Sequence, residues 1–88
     1  MKGIYPCILT KGESAAYVVE FPDIAGATQG ANLYEALEMA EDAANLMITH
    51  FEDTKKEIPS PTPPEKVVVP EGAFMTLIRV DTDEYRKS

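Results

Sequence analysis

The chain has 88 residues, 44% of them hydrophobic, and a formal net charge of −7. That is enough for one small domain with one core, and it excludes a disordered segment. With no apolar run near the roughly 18 residues of a membrane span, no leader-like opening in Met1-Lys2-Gly3-Ile4-Tyr5-Pro6 and a lone Cys7 that cannot form an internal disulfide, the sequence predicts a soluble, cytoplasmic protein of one domain over residues 1–88.

Ile4 to Thr10 alternates as a strand, with Ile4, Pro6 and Ile8 on one face and Tyr5, Cys7 and Leu9 on the other. Pro6 lacks a backbone donor, which predicts a free side or a bulge at that point. Lys11-Gly12-Glu13-Ser14 reads as a turn. Ala15 to Phe21 reads as a second strand, paired with the first as a hairpin, with Tyr17, Val19 and Phe21 on one face. Pro22-Asp23-Ile24-Ala25-Gly26 is a turn by composition, and Ala27 to Gly30 is a short edge strand.

Asn32 then offers an N-cap, with Glu35 three residues later as in a capping box. Leu33, Ala36, Leu37, Ala40, Ala44, Met47, Ile48 and Phe51 follow at helical spacing, which predicts an amphipathic helix over about 33–55. Glu35, Glu38, Glu41, Asp42, Asn45, Thr49 and Glu52 fall mostly on its polar face. A proline-rich connection over about 58–64 cannot continue that helix. Val67 to Val69 reads as a short strand before Pro70. Ala73 to Val80 is the last strand, and Asp81 to Ser88 a cap with the opening of a short helix. The order β-β-β-α-β predicts an α+β fold, a mainly antiparallel sheet with one helix packed on it.

The charge is unevenly placed. Between Lys11 and Lys55 there is no Lys or Arg, while Glu13, Glu20, Asp23, Glu35, Glu38, Glu41, Asp42, Glu52 and Asp53 all lie in that stretch. Such a surface repels phosphate backbones, so direct nucleic-acid binding is not expected. It would attract a basic partner. Charge alone is better explained by solubility.

The stretch Tyr17–Ala44, YVVEFPDIAGATQGANLYEALEMAEDAA, resembles the HicB-type antitoxin family. The matching residues are Phe21-Pro22-Asp23, Gly26, Thr28-Gln29-Gly30, and Glu35-Ala36 with Ala40. Ile58-Pro59 and Val80-Asp81 with Tyr85 also look like the family. The resemblance implies a partial RNase H-like fold and a role in a type II toxin-antitoxin system. The partner it implies is a HicA-type mRNA-cleaving toxin, masked without catalysis. Asn32 stands where the family commonly has Ser or Thr, an exchange of one good cap for another. Many members continue into a C-terminal DNA-binding domain. This sequence contains none before Ser88, so it resembles a single-domain member or a piece of a longer protein.

The residues expected to meet the partner are Glu20, Asp23, Ile24, Thr28 and Gln29. Phe21, Pro22, Gly26, Gly30, Asn32 and Glu35 are expected to shape the motif. For Asp23 turn capping is the first role and contact the second. His50 and Cys7 have no catalytic companions near them. The first strand contains no Asp or Glu, so the carboxylates of a two-metal nuclease are missing. No metal-ligand spacing or phosphate-binding glycine loop is present. No cofactor, metal or enzymatic activity is expected. Free sheet edges suggest a homodimer. The alternative is a stand-alone regulatory or ligand-binding domain without a toxin partner.

Overall fold

A computed structural model describes residues 1–87. The elements are β1 (Lys2–Lys11), β2 (Tyr17–Glu20), β3 (Ala27–Gly30), α1 (Leu33–Asp53), β4 (Ala73–Asp81) and α2 (Thr82–Lys87), with a 3-10 turn at Pro64–Lys66. The four strands form one sheet in the order β3-β2-β1-β4, and every neighbouring pair is antiparallel. The fold is α+β, a four-stranded antiparallel sheet with a helix against one face, as the sequence predicted.

The alternation in β1 decides which face is covered. Tyr5, Cys7 and Leu9 are buried under the helix with Val19 of β2 and Ile78 and Val80 of β4. Their odd-even neighbours Ile4, Val18 and Leu77 remain 49%, 37% and 45% exposed on the other face. The sheet therefore has one dry side and one open side, as antiparallel sheets permit. Pro6 pairs with Leu77 of β4, whereas pairing with β2 begins only at Ile8↔Glu20. The missing donor costs nothing there, because β2 has already ended.

The helix face that meets the sheet is built from Ala36, Ala40, Ala44 and Ile48, all fully buried. Small side chains let the helix lie close, and Gly30 shows how close. A Cβ added there would meet Ala36 N at 2.3 Å and Ala36 Cα at 2.6 Å. Gly26 is required for a different reason, its φ of 108°. Asn32 caps α1 by accepting from Glu35 N–H at 2.8 Å, and the Glu35 carboxylate accepts from Ala31 N–H at 3.0 Å. The reciprocal bond thus reaches one residue further back than in a standard capping box. At the other end Lys56 N–H reaches Phe51 O at 2.9 Å and Lys55 N–H reaches Glu52 O at 3.3 Å. This is a Schellman closure with Lys55, at φ 57°, in the left-handed position glycine usually fills.

Three expectations change. Asn45 is buried at 8% exposure, not on the polar face. Its amide donates to Glu41 O at 2.8 Å and accepts from Asp81 N–H at 2.9 Å, tying α1 to β4. Val67 to Val69 forms no strand, and Val68 is 85% exposed. β-branched residues there have the propensity but no neighbouring strand to pair with. β2 is shorter than the alternation suggested, because Ala15 adopts φ 67° and belongs to the turn. The predicted short terminal helix is present as α2; Ser88 lies outside the described residues.

The contact at Gly30 yields a stability prediction. Gly30→Ala must push α1 off β3, and overpacking of this kind costs about 1–3 kcal/mol or more. Denaturant unfolding should show that loss, whereas Gly26→Ala should act through φ strain alone.

Candidate partner-binding surface

The turn between β2 and β3 was expected to be a contact surface, and its side chains divide three ways. Ile24 is 2% exposed and sits in the core, so it leaves the contact set. A branched apolar residue in an otherwise polar turn gains more by burial than by exposure. Asp23 reaches across the chain: its Oδ2 accepts from Thr62 N–H at 2.8 Å and its Oδ1 from the Thr62 hydroxyl at 2.6 Å. Its carboxylate therefore secures the proline-rich connection instead of capping its own turn. Phe21 is half-buried against the core, and Pro22 is exposed beside it.

A second anchor holds the same connection. The Tyr5 hydroxyl donates to Pro59 O at 2.7 Å. Burial pushes the Tyr5 phenol up from its ordinary range, and the Asp23 carboxylate nearby pushes it the same way. The hydroxyl thus keeps its proton and stays a donor. Residues 59–62 run over the end of the sheet on these two ties. Cys7 is fully buried. Burial pushes its thiol up to about 11, against the opposing effect of a hydrogen bond with the Thr76 backbone, so thiolate chemistry is suppressed. His50 is exposed near the helix end, tilted against Phe51 at 6.2 Å between ring centroids.

Glu20, Thr28 and Gln29 remain near one another on β2 and β3 but do not share a face. Glu20 pairs with Ala27 and Val18 with Gln29, on the open face, while Thr28 pairs with Val19 on the helix-facing side and is half-buried. A groove runs between β3 and α1, lined by Ala16, Ala27 to Ala31, Glu35 and Met39. Sequence reasoning missed its helical wall. Met39 is 42% exposed there, Leu46 is 54% exposed further along α1 beside Phe21 and Ala27, and the excess of apolar residues over what one helix stripe can bury was the available signal. Glu38 and Asp42 lie exposed beside Met39 along the same helix.

The acidic stretch is also sorted by the fold. Glu52 accepts from the Met1 ammonium at 3.2 Å and from Arg86 at 3.2 Å, and Arg86 also meets Asp53 at 2.8 Å. The Met1 ammonium donates in turn to the buried Thr82 hydroxyl. Glu35 is committed to the cap. Among the described residues, Glu13, Glu20, Glu38, Glu41 and Asp42 are the exposed carboxylates of this stretch without such a tie in the hydrogen-bond and ion-pair geometry above. Three of them cluster on the outer face of α1.

The described residues thus present an open-faced sheet, a helix edged with carboxylates and apolar side chains, and shallow grooves. The chain belongs to the HicB-like antitoxin family of bacterial toxin-antitoxin systems, whose model matches residues 5–88. It is 46% identical over 60 residues to Antitoxin HicB 1 of Photorhabdus laumondii, an alignment covering 67% of this chain and 39% of that relative's length. The fold is similar to a chain of a toxin-antitoxin complex from Streptococcus pneumoniae, with a TM-score of 0.84 at 22% identity, covering 97% of this chain and 73% of that one. No helix among the described residues is long and apolar enough to cross a membrane.

Two measurements follow from these ties. Asp23→Ala leaves the Thr62 N–H and hydroxyl without their acceptor, which should cost about 1–3 kcal/mol and raise proteolysis within residues 57–70. For Glu52, desolvation raises the carboxyl, but hydrogen bonds from Thr82, the N-terminal ammonium and Arg86 outweigh it and hold it below the usual range. A depressed folded-state carboxylate contributes stability above its unfolded value and loses it as pH falls through the folded one. The thermal midpoint should therefore drop below about pH 4.5, the ordinary Glu range, and Glu52→Gln should flatten part of that drop.

Proposed function

We propose that the chain binds and masks a HicA-type mRNA-cleaving toxin in the cytoplasm, by cover and charge and without catalysis of its own. The observation that carries this reading is the outer flank of α1, where Glu38 and Asp42 stand exposed beside the apolar Met39, next to the groove along β3. A protein that handles RNA carries basic residues for phosphate. An acidic flank meets the same residues and competes with the nucleic acid for them.

The physical roles separate. Apolar Met39 and Leu46 supply the area that leaves water on docking. The carboxylates speed encounter and select for a basic surface, an effect that weakens as salt screens it. Gln29 extends the surface along β3. Masking needs no reacting group on this side. Family membership and the likeness to a chain from a toxin-antitoxin complex support the reading.

The test is binding of a co-expressed small, basic, His-containing product of the neighbouring reading frame. The wild-type chain should retain it at moderate salt and block its RNase activity. The double reversal Glu38→Lys, Asp42→Lys should weaken binding about tenfold or more, mostly in the association rate, with an unchanged circular dichroism spectrum. Failure of the wild type to retain such a partner, or equal binding by the reversed variant, would leave a stand-alone binding domain as the better description.

A further inference from the structure

We propose that the proline-rich connection is a displayed polyproline II ligand, held rigid by the domain so that an aromatic-lined groove on another protein can read it. A polyproline II chain has three residues per turn and no internal hydrogen bonds, so one row of residues can face a support while two rows stay free. The exposure of residues 59–64 follows that period. Pro59 and Thr62 are half-buried, whereas Ser60, Pro61, Pro63 and Pro64 are exposed. Pro63, at φ −56° and ψ 139°, has the corresponding backbone.

The half-buried row is also the fastened one. The Tyr5 hydroxyl donates to the Pro59 carbonyl at 2.7 Å, and the Asp23 carboxylate accepts from the Thr62 N–H at 2.8 Å and the Thr62 hydroxyl at 2.6 Å. Both supports belong to the body of the domain, Tyr5 in β1 and Asp23 just after β2. Folding therefore orders this segment before any partner arrives. Lys66 N–H then closes on the Pro63 carbonyl at 2.9 Å and ends the extended run.

Closing the fold does not require this segment. Residues 54–72 join α1 to β4 and would span about 60 Å in polyproline II form, whereas the longest dimension of the domain is 38 Å. Ile58 to Pro64 is uncharged, and Pro59, Pro61, Pro63 and Pro64 lie within it. Prolines bring no N–H, so the run is poorly suited to pair as a strand. What it offers is ring edges and carbonyls, the surface that aromatic grooves recognise, and Pro61 to Pro64 has the Pro-x-x-Pro spacing those grooves read. Lys66 stands exposed just beyond, placed to meet an acidic residue at the rim of such a groove.

The test titrates two probes separately, a recombinant SH3 domain and a recombinant WW domain, into the full chain labelled with nitrogen-15. At least one should shift the Ser60, Thr62, Glu65 and Lys66 amides, with a Kd on the order of 100 µM. Pro61→Ala combined with Pro64→Ala should weaken that binding about tenfold with an unchanged circular dichroism spectrum. The folded chain should bind about fivefold more tightly than a synthetic peptide of residues 57–68, which must be ordered on binding, and Asp23→Ala should lose that advantage. No shift at these amides with either probe at roughly 1 mM, or binding indifferent to the double proline variant, overturns the ligand. A peptide that binds as tightly as the chain overturns its display by the two ties.

Discussion

The approach of α1 to β3 governs this small fold. Gly30 has no side chain, Ala36 lies directly above it, and Ala40 and Ala44 continue the same contact along the helix. A close helix buries Tyr5, Leu9, Val19, Ile78 and Val80 well, which matters in a chain too short for a large core. The same economy has a consequence for the outside. One helix covers one face of a four-stranded sheet, so the other face and both edges stay open. Surfaces that bind are here the remainder of the packing solution.

Polar ties supply what a thin core leaves out. Tyr5 and Asp23 fasten the proline-rich connection at Pro59 and Thr62. Asn45 fastens the end of β4. Glu52 gathers the first residue and α2. Each tie joins segments distant in the chain, and all but the exposed Glu52–Arg86 pair are part-buried, where a hydrogen bond is worth more than at an open surface. These ties consume carboxylates. An acidity that looks uniform along the sequence is thus divided between internal fastening at Asp23, Glu35 and Glu52 and an exposed remainder on α1.

That division marks how far the sequence could be read. Strand alternation in β1 and β4 and the helical spacing from Leu33 to Phe51 were legible, because they repeat within a few residues. The N-cap Asn32 was legible for the same reason. Asp23 with Thr62, and Asn45 with Asp81, were not. Their partners lie 39 and 36 residues away, and no local pattern announces them. Ile24 was misjudged from the company it keeps: a Pro-Asp-Gly turn suggests exposure, yet its own side chain answers to the core. Val67 to Val69 failed in the opposite way, since strand propensity is realised only beside another strand. Glu20, Thr28 and Gln29 could be placed on their strands but not on a face, because β2 and β3 send Glu20 and Thr28 to opposite sides.

The two sheet edges differ in kind. β3 is short, and its groove is walled by Glu35 and Met39 of α1, whereas Glu38 and Asp42 stand further round the helix with Asn45 and Tyr85. β4 presents an uncharged run, closed at one end by the Pro70–Ala73 turn and at the other by the Asn45 amide. They lie at opposite ends of the order β3-β2-β1-β4, two strands apart. The exposed carboxylates of α1 therefore border the end of β4 through Asn45, while Met39 carries the same helix surface round to the groove along β3.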